Sequence, residues 1–121
     1  MKFTESLKKN GQFRYVYNRG KSIANRQLVV YVLDNGSEFN RLGVSVSKKV
    51  GISVVRSRVT RLIKENYRLA ELEIRLGFDI VVIARTAVKD SDFAEVSRSL
   101  AHLLKKHGLL KETQKEIQKE A

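Results

Sequence analysis

The run Arg41-Leu-Gly-Val-Ser-Val-Ser-Lys-Lys-Val-Gly-Ile-Ser-Val-Val-Arg-Ser-Arg-Val-Thr-Arg-Leu-Ile-Lys64, continued by Glu65-Asn-Tyr-Arg-Leu69, changes its hydrophobic period half-way along. Leu42, Val44 and Val46 alternate with Gly43, Ser45 and Ser47, the pattern of a strand with one buried face. After the break at Gly51 the period lengthens, and a helix is expected from about Ser53 to Leu69. With Arg56 set at zero and 100° per residue, Val55, Val59, Leu62, Ile63 and Leu69 fall between roughly 220° and 340°. Arg61, Lys64 and Arg68 fall between roughly 80° and 140°, with Ser57 and Thr60 beside them and Arg56 and Arg58 on the flanks. One face should pack on a sheet. The other presents a basic strip.

Outward from this stretch, Leu28–Leu33 is β-branched and aromatic and ends at the turn signal Asp34-Asn35-Gly36, so it reads as a strand antiparallel to and paired with Leu42–Val46. A short extended piece at Lys21–Asn25 adds an edge strand. Asn10 is the expected N-cap of a first helix carrying Phe13, Val16 and Tyr17, which Gly20 stops. Ile80–Ala84 is a continuous apolar run, as for a strand covered on both faces. Asp92 and Glu95 have capping-box spacing for a last helix with the stripe Phe93, Val96, Leu100, Leu103 and Leu104, ended by Gly108. The order is α-β-β-β-α-β-α in one α+β domain, with residues 1–110 as the folded unit and 111–121 as a polar tail expected to fray or stay disordered.

Charge narrows the function. The 121 residues carry a net +11, and all of the excess lies in residues 1–68, with 15 basic and 4 acidic side chains. Residues 69–121 hold 9 of each sign. Such a surface calls for a polyanion. Membrane binding would call for an amphipathic basic helix with large apolar residues opposite or a lipid anchor, and there is neither Trp nor a lipidation motif. Nucleic acid is the expected partner. The absence of Cys excludes disulfides and thiolate metal sites, and with no apolar leader or span it fits a cytoplasmic domain.

The basic strip suits phosphate, because guanidinium forks engage paired oxygens and small hydroxyls allow close approach. An ordinary solvated helix face would mix signs, yet only Glu65 interrupts Arg56, Arg58, Arg61, Lys64 and Arg68. Lys48 and Lys49 at the strand end could extend the same surface; as two adjacent lysines they are equally a solubility device. For chemistry on bonds the sequence offers little. His102 lies opposite the apolar stripe of the last helix, His107 lies near it in the last turn, and their spacing does not put both on one face. Asp79, Asp90 and Asp92 read as caps or turn formers. No intrinsic metal site and no catalytic residue is expected.

The Arg41–Lys64 run closely resembles the motif of the bacterial ribonuclease P protein family. Phe13 to Gly20, Ala24-Asn-Arg-Gln27 and Asp79-Ile-Val-Val-Ile-Ala-Arg85 match in the same order, so the resemblance covers about Leu7 to Leu110. It implies a two-layer α+β sandwich whose β-α-β crossover, here Leu42–Ala84, is left-handed, against the general rule. It also implies a ribonucleoprotein that removes the 5′ leader of precursor tRNA, with hydrolysis and Mg²⁺ belonging to a large RNA subunit. No small-molecule substrate is implied. On this resemblance Lys48, Lys49, Arg56, Ser57, Arg58, Arg61, Lys64 and Arg68 would contact the catalytic RNA. Phe13, Tyr17 and Tyr31, which composition alone would place in the core, would line the leader-binding cleft, with Arg14 pointing elsewhere. The chain departs from the family pattern at Ile52-Ser53, where Asn-Ala is usual, at Ser57, where Asn is usual, and at Thr60, where Lys or Arg is common. The alternatives are a ribosomal or other structural RNA-binding protein, and a DNA-binding module using Arg56–Arg68 as its recognition helix. Against the latter stands the lack of a helix-turn-helix pair.

Overall fold

The computed structural model describes residues 1–111, so most of the segment 111–121 and its expected disorder lie outside the described residues. Five strands form one mixed sheet: β1 (Thr4–Ser6), β2 (Lys21–Ala24), β3 (Leu28–Asp34), β4 (Asn40–Ser45) and β5 (Phe78–Ala84), in the order β1-β4-β5-β3-β2. Three α-helices accompany them: α1 (Asn10–Arg19), α2 (Ser53–Ala70) and α3 (Phe93–Lys106). The expected order of helices and strands holds, with β1 as an addition.

The apolar run of β5 decides the sheet. Ile80, Val82 and Ala84 pack into the main core with α2 and α3, while Val81 packs on the other side with Leu7 and Val16. A strand with no polar face is stable only between two neighbours, and β5 pairs parallel with β4 and antiparallel with β3. The expected direct pairing of β3 with β4 is therefore wrong. The 35–39 connection is longer than a two-residue hairpin turn and passes over the end of β5, where the Asn35 amide donates to the Gly77 carbonyl at 2.8 Å.

The hand of the β4–α2–β5 crossover follows from residue chirality. Leu42 belongs to the core on the α2 side, and its carbonyl accepts from the Leu7 amide at 2.9 Å, toward β1. For an L residue seen with its side chain toward the viewer and the chain running upward, N–H and C=O point right. β1 thus stands right of β4, and β5 stands left. The chain crosses the near face through α2 and returns on the left. The crossover is left-handed, contrary to the usual preference.

Helix ends show which local signals hold. Asp92 caps α3 by accepting from the Glu95 amide at 2.8 Å, and the Glu95 carboxylate accepts from the Asp92 amide at 3.2 Å. Gly108, with φ +74°, ends it. Val96, Leu100, Leu103 and Leu104 are buried, but Phe93, the first residue of the helix, is exposed. At α1 the cap is Lys9, not Asn10, and the Gln12 side chain accepts from the Lys8 and Lys9 amides at 2.9 and 3.1 Å. On α2 the buried face comprises Val59, Ile63, Asn66 and Tyr67, turned toward Tyr67 and away from Leu69, which is exposed. Tyr67 takes that place because its hydroxyl finds Thr4 at 3.0 Å and Asn40 at 3.3 Å, which makes an aromatic with a polar tip a better core residue than Leu69 at the helix end.

β1 has no hydrophobic alternation and was not expected. It is held by distant residues: the Glu71 carboxylate accepts from the Lys2 and Phe3 amides at 3.0 and 3.3 Å. Asp79, expected as a cap or turn former, lies within β5 and is buried. Arg41 engages it through two bonds of 2.7 and 2.8 Å, and the Asn35 amide adds a third at 3.0 Å. A buried carboxylate requires that pairing.

Candidate nucleic-acid interface

α2 turns its polar side toward a groove of about 710 Å³ whose lining includes Arg56, Ser57, Thr60, Arg61, Lys64 and Arg68, with Val44 and Val46 of the β4 strand and its exit forming the opposite wall. Six of the eight residues expected to contact RNA are thus on α2, and five of them meet in this groove. The sixth, Arg58, faces a neighbouring depression with Ser53, Val54 and Arg61. Lys48 and Lys49 are exposed in the turn between β4 and α2.

The five cations of the helix are not equivalent. Arg58 donates to the Ser91 carbonyl at 3.2 Å and to the Lys89 carbonyl, so its fork is partly occupied in fastening α2 to the segment before α3. Arg56 donates through Nε to the Gly51 carbonyl at 3.2 Å, leaving the rest of its fork for the groove. Arg68 pairs with Glu65, with one bond of 3.1 Å; this pair raises the affinity of the guanidinium for its proton and holds the Glu65 carboxyl below its usual range. Arg61 and Lys64 are exposed and, among the described residues, in no ion pair. They are the least committed charges. The Thr60 hydroxyl donates to the Arg56 carbonyl at 2.8 Å, so it offers an incoming phosphate no proton. Ser57 is exposed.

On the other side of the sheet three aromatic rings stand in a row. Phe13 and Tyr17 have centroids 6.4 Å apart, and Tyr17 meets Tyr31 edge-on at 5.0 Å. All three are partly exposed and belong to the small cluster around Val81. Burial pushes the Tyr17 phenol up, and a hydrogen bond with Ser45 opposes it. Phe13 can lie this close because Gly43 has no side chain: a Cβ there would stand 2.6 Å from the ring. The glycine inside β4 was the available sequence signal for that approach. A cleft of about 370 Å³ runs along Asn10, Phe13, Arg14, Tyr17, Val44 and Ser45. Arg14, expected to point elsewhere, lines it, because Asn10, Phe13, Arg14 and Tyr17 share one helix side at i, i+3, i+4 spacing.

Val44 lines both the basic groove and the aromatic cleft. The pairing of β1 with β4 stops at Leu42, so beyond it the two sites meet at an open strand edge. A positive groove running into a row of partly exposed rings is what a flexible polynucleotide needs: charge for its backbone and π-faces for its bases.

Residues 1–108 match the family model Ribonuclease P. The chain belongs to the ribonuclease P protein family. The ribonuclease P protein component of Clostridium perfringens is 56% identical over 111 residues, covering 86% of this chain and 89% of that relative. The structure of the Staphylococcus aureus RNase P protein superposes with a TM-score of 0.81 at 42% identity, covering 87% of this chain and 96% of that one. The RNase P protein of Thermotoga maritima, solved in complex with 1-(4-fluorophenyl)-2-thiourea, gives 0.74 at 36% identity over 78% and 92% of the two chains.

Membership of the ribonuclease P family makes this chain a subunit of an endoribonuclease that works in tRNA processing as a ribonucleoprotein with ribonuclease P RNA. The ribosomal and DNA-binding alternatives fall away. Among the described residues, no three His, Cys, Asp or Glu side chains are gathered to hold a metal ion, and no helix is long and apolar enough to cross a membrane. The His107 ring lies 2.8 Å from the Val30 carbonyl, joining α3 to β3, and His102 is exposed.

Proposed function

We propose that the α2 groove, extended by Lys48 and Lys49, binds the catalytic RNA, and that Phe13, Tyr17 and Tyr31 stack bases of the single-stranded 5′ leader of precursor tRNA. The observation that carries this reading is the meeting of the two sites at Val44. One RNA held on α2 and a second strand lying over α1 would there come into contact. Residues 1–110 form the binding unit. The protein supplies position and charge in the cytoplasm, while the Mg²⁺ used in hydrolysis is held by RNA.

The test is reconstitution. Added to a bacterial ribonuclease P RNA at low Mg²⁺, the protein should restore cleavage of precursor tRNA. No stimulation, with the RNA competent at high Mg²⁺, would refute the assignment. Arg61→Glu places a negative charge at one of the least committed positions and should cut affinity for that RNA at physiological salt while leaving the melting temperature unchanged. Unchanged affinity would remove the α2 groove from the interface.

A further inference from the structure

The motif Ala24-Asn25-Arg26-Gln27 finds no use in either site above. Asn25 and Gln27 have structural work. The Asn25 side-chain carbonyl accepts from the Gln27 and Leu28 amides at 3.1 and 2.9 Å and from the Ser99 hydroxyl at 3.0 Å, while its amide donates to the Ser99 carbonyl at 3.0 Å. Gln27 donates to the Ser91 hydroxyl at 3.3 Å. Arg85, from the end of β5, donates to the Asn25 carbonyl at 2.7 Å. The β2–β3 turn is thereby riveted to α3 and to β5. Arg26, between two locked residues, is exposed and has no hydrogen-bond or ion-pair partner among the described residues.

Beside it, Arg98 and His102 stand at i and i+4 on α3, both exposed, and the three line one depression of about 280 Å³. Glu95 shares that depression, but its carboxylate is drawn toward the helix start, where it accepts from the Asp92 amide. The site therefore combines two uncommitted guanidinium forks and an imidazole on a floor fixed by side-chain bonds. It lies at the β2 edge of the sheet, three strand spacings (about 14 Å) from β4 and the groove.

We propose that Arg26, Arg98 and His102 form a second anion site that takes the phosphodiester backbone of RNA. The inference rests on the RNA-binding reading above and extends it: the protein bridges two RNA segments across the width of its sheet. Guanidinium forks match paired phosphate oxygens, and the imidazole adds one donor. Rigid seating of Arg26 limits the entropy lost on contact. The phosphates could come from the ribonuclease P RNA or from the precursor tRNA, whose chemistry here is shared.

The experiment compares wild type with Arg26→Ala/Arg98→Ala and Arg26→Lys/Arg98→Lys. Affinity is measured against salt, first for ribonuclease P RNA and then for precursor tRNA by the reconstituted complex. Losing two phosphate contacts should flatten the log-log salt slope by roughly 1.4–1.8, and the Lys pair should restore most of it. A flattened slope with the first ligand assigns the site to the catalytic RNA; flattening with precursor tRNA alone assigns it to the substrate. Wild-type slopes for the Ala pair with both ligands overturn the proposal. A shallow slope in the wild type would instead overturn the RNA-binding reading beneath it. Among the described residues neither arginine side chain makes a hydrogen bond or ion pair, so all three proteins should melt together.

Discussion

On the α2–α3 side of the sheet, Leu28, Val30, Ile80 and Val82 are fully buried beneath two helices, whereas on the α1 side the buried apolar side chains among the described residues are those of Leu7, Val16 and Val81. There Phe13, Tyr17 and Tyr31 stay partly exposed. The same strands serve both faces, because alternate residues point oppositely. One short helix cannot cover a five-stranded sheet, and what it leaves open is aromatic. The closed face supplies the stability that lets the open face keep rings in contact with water. The closed core and the partly exposed rings thus lie on opposite sides of the same strands.

The largest effect expected from this division is on the closed face. Ile63→Ala removes a fully buried side chain and should cost about 2–5 kcal/mol in urea unfolding. Phe13→Ala, at a partly exposed ring, should destabilise by less, yet weaken binding of leader-bearing precursor tRNA by about 1–3 kcal/mol while barely affecting mature tRNA. Equal losses for both ligands would break the comparison. Gly43→Ala sharpens it: the new methyl group would collide with the Phe13 ring, so the ring must shift at a cost of about 1–3 kcal/mol. Leader binding should fall in that variant, while affinity for ribonuclease P RNA through α2 persists. Loss of both affinities in a folded Gly43→Ala protein would mean that the two faces are not independent.

The closed face was legible in the sequence and the open one much less so. Periodicity located α2, α3 and the doubly buried β5, since burial against a large core imposes a regular pattern. It failed where residues are held by partners far along the chain. β1 is polar and owes its place to Glu71 and Tyr67, 69 and 63 residues from their partners along the chain. The insertion of β5 between β3 and β4 is likewise non-local, and Asn35-Gly36 looked like a hairpin turn because only the turn, not the neighbour, is written locally. Asp79 became a buried partner of Arg41 for the same reason. Among site residues, helical spacing grouped Arg61, Lys64 and Arg68 well. It could not show that Arg58 is occupied by the Ser91 and Lys89 carbonyls, or that the Thr60 hydroxyl is turned inward.

The smallest predicted effect concerns β1, an edge strand with little apolar support that lines a smaller depression shared with Val44 and Lys64. Burial alone would raise the Glu71 carboxyl, but hydrogen bonds from Thr4 and from the Lys2 and Phe3 amides outweigh it, and the group is held below the usual carboxylate range. A folded-state value below the unfolded one means that the contribution is complete above the unfolded pKa and is lost as pH falls through the folded one. Glu71→Gln keeps the shape and one acceptor but loses the charge, so it should cost about 1 kcal/mol at neutral pH. Its stability should then depend less on pH through the acidic range than that of the wild type. Denaturant midpoints measured across that range compare the two profiles directly. If they stay parallel, Glu71 is not what titrates, and β1 is held by Tyr67 and Asn40 instead.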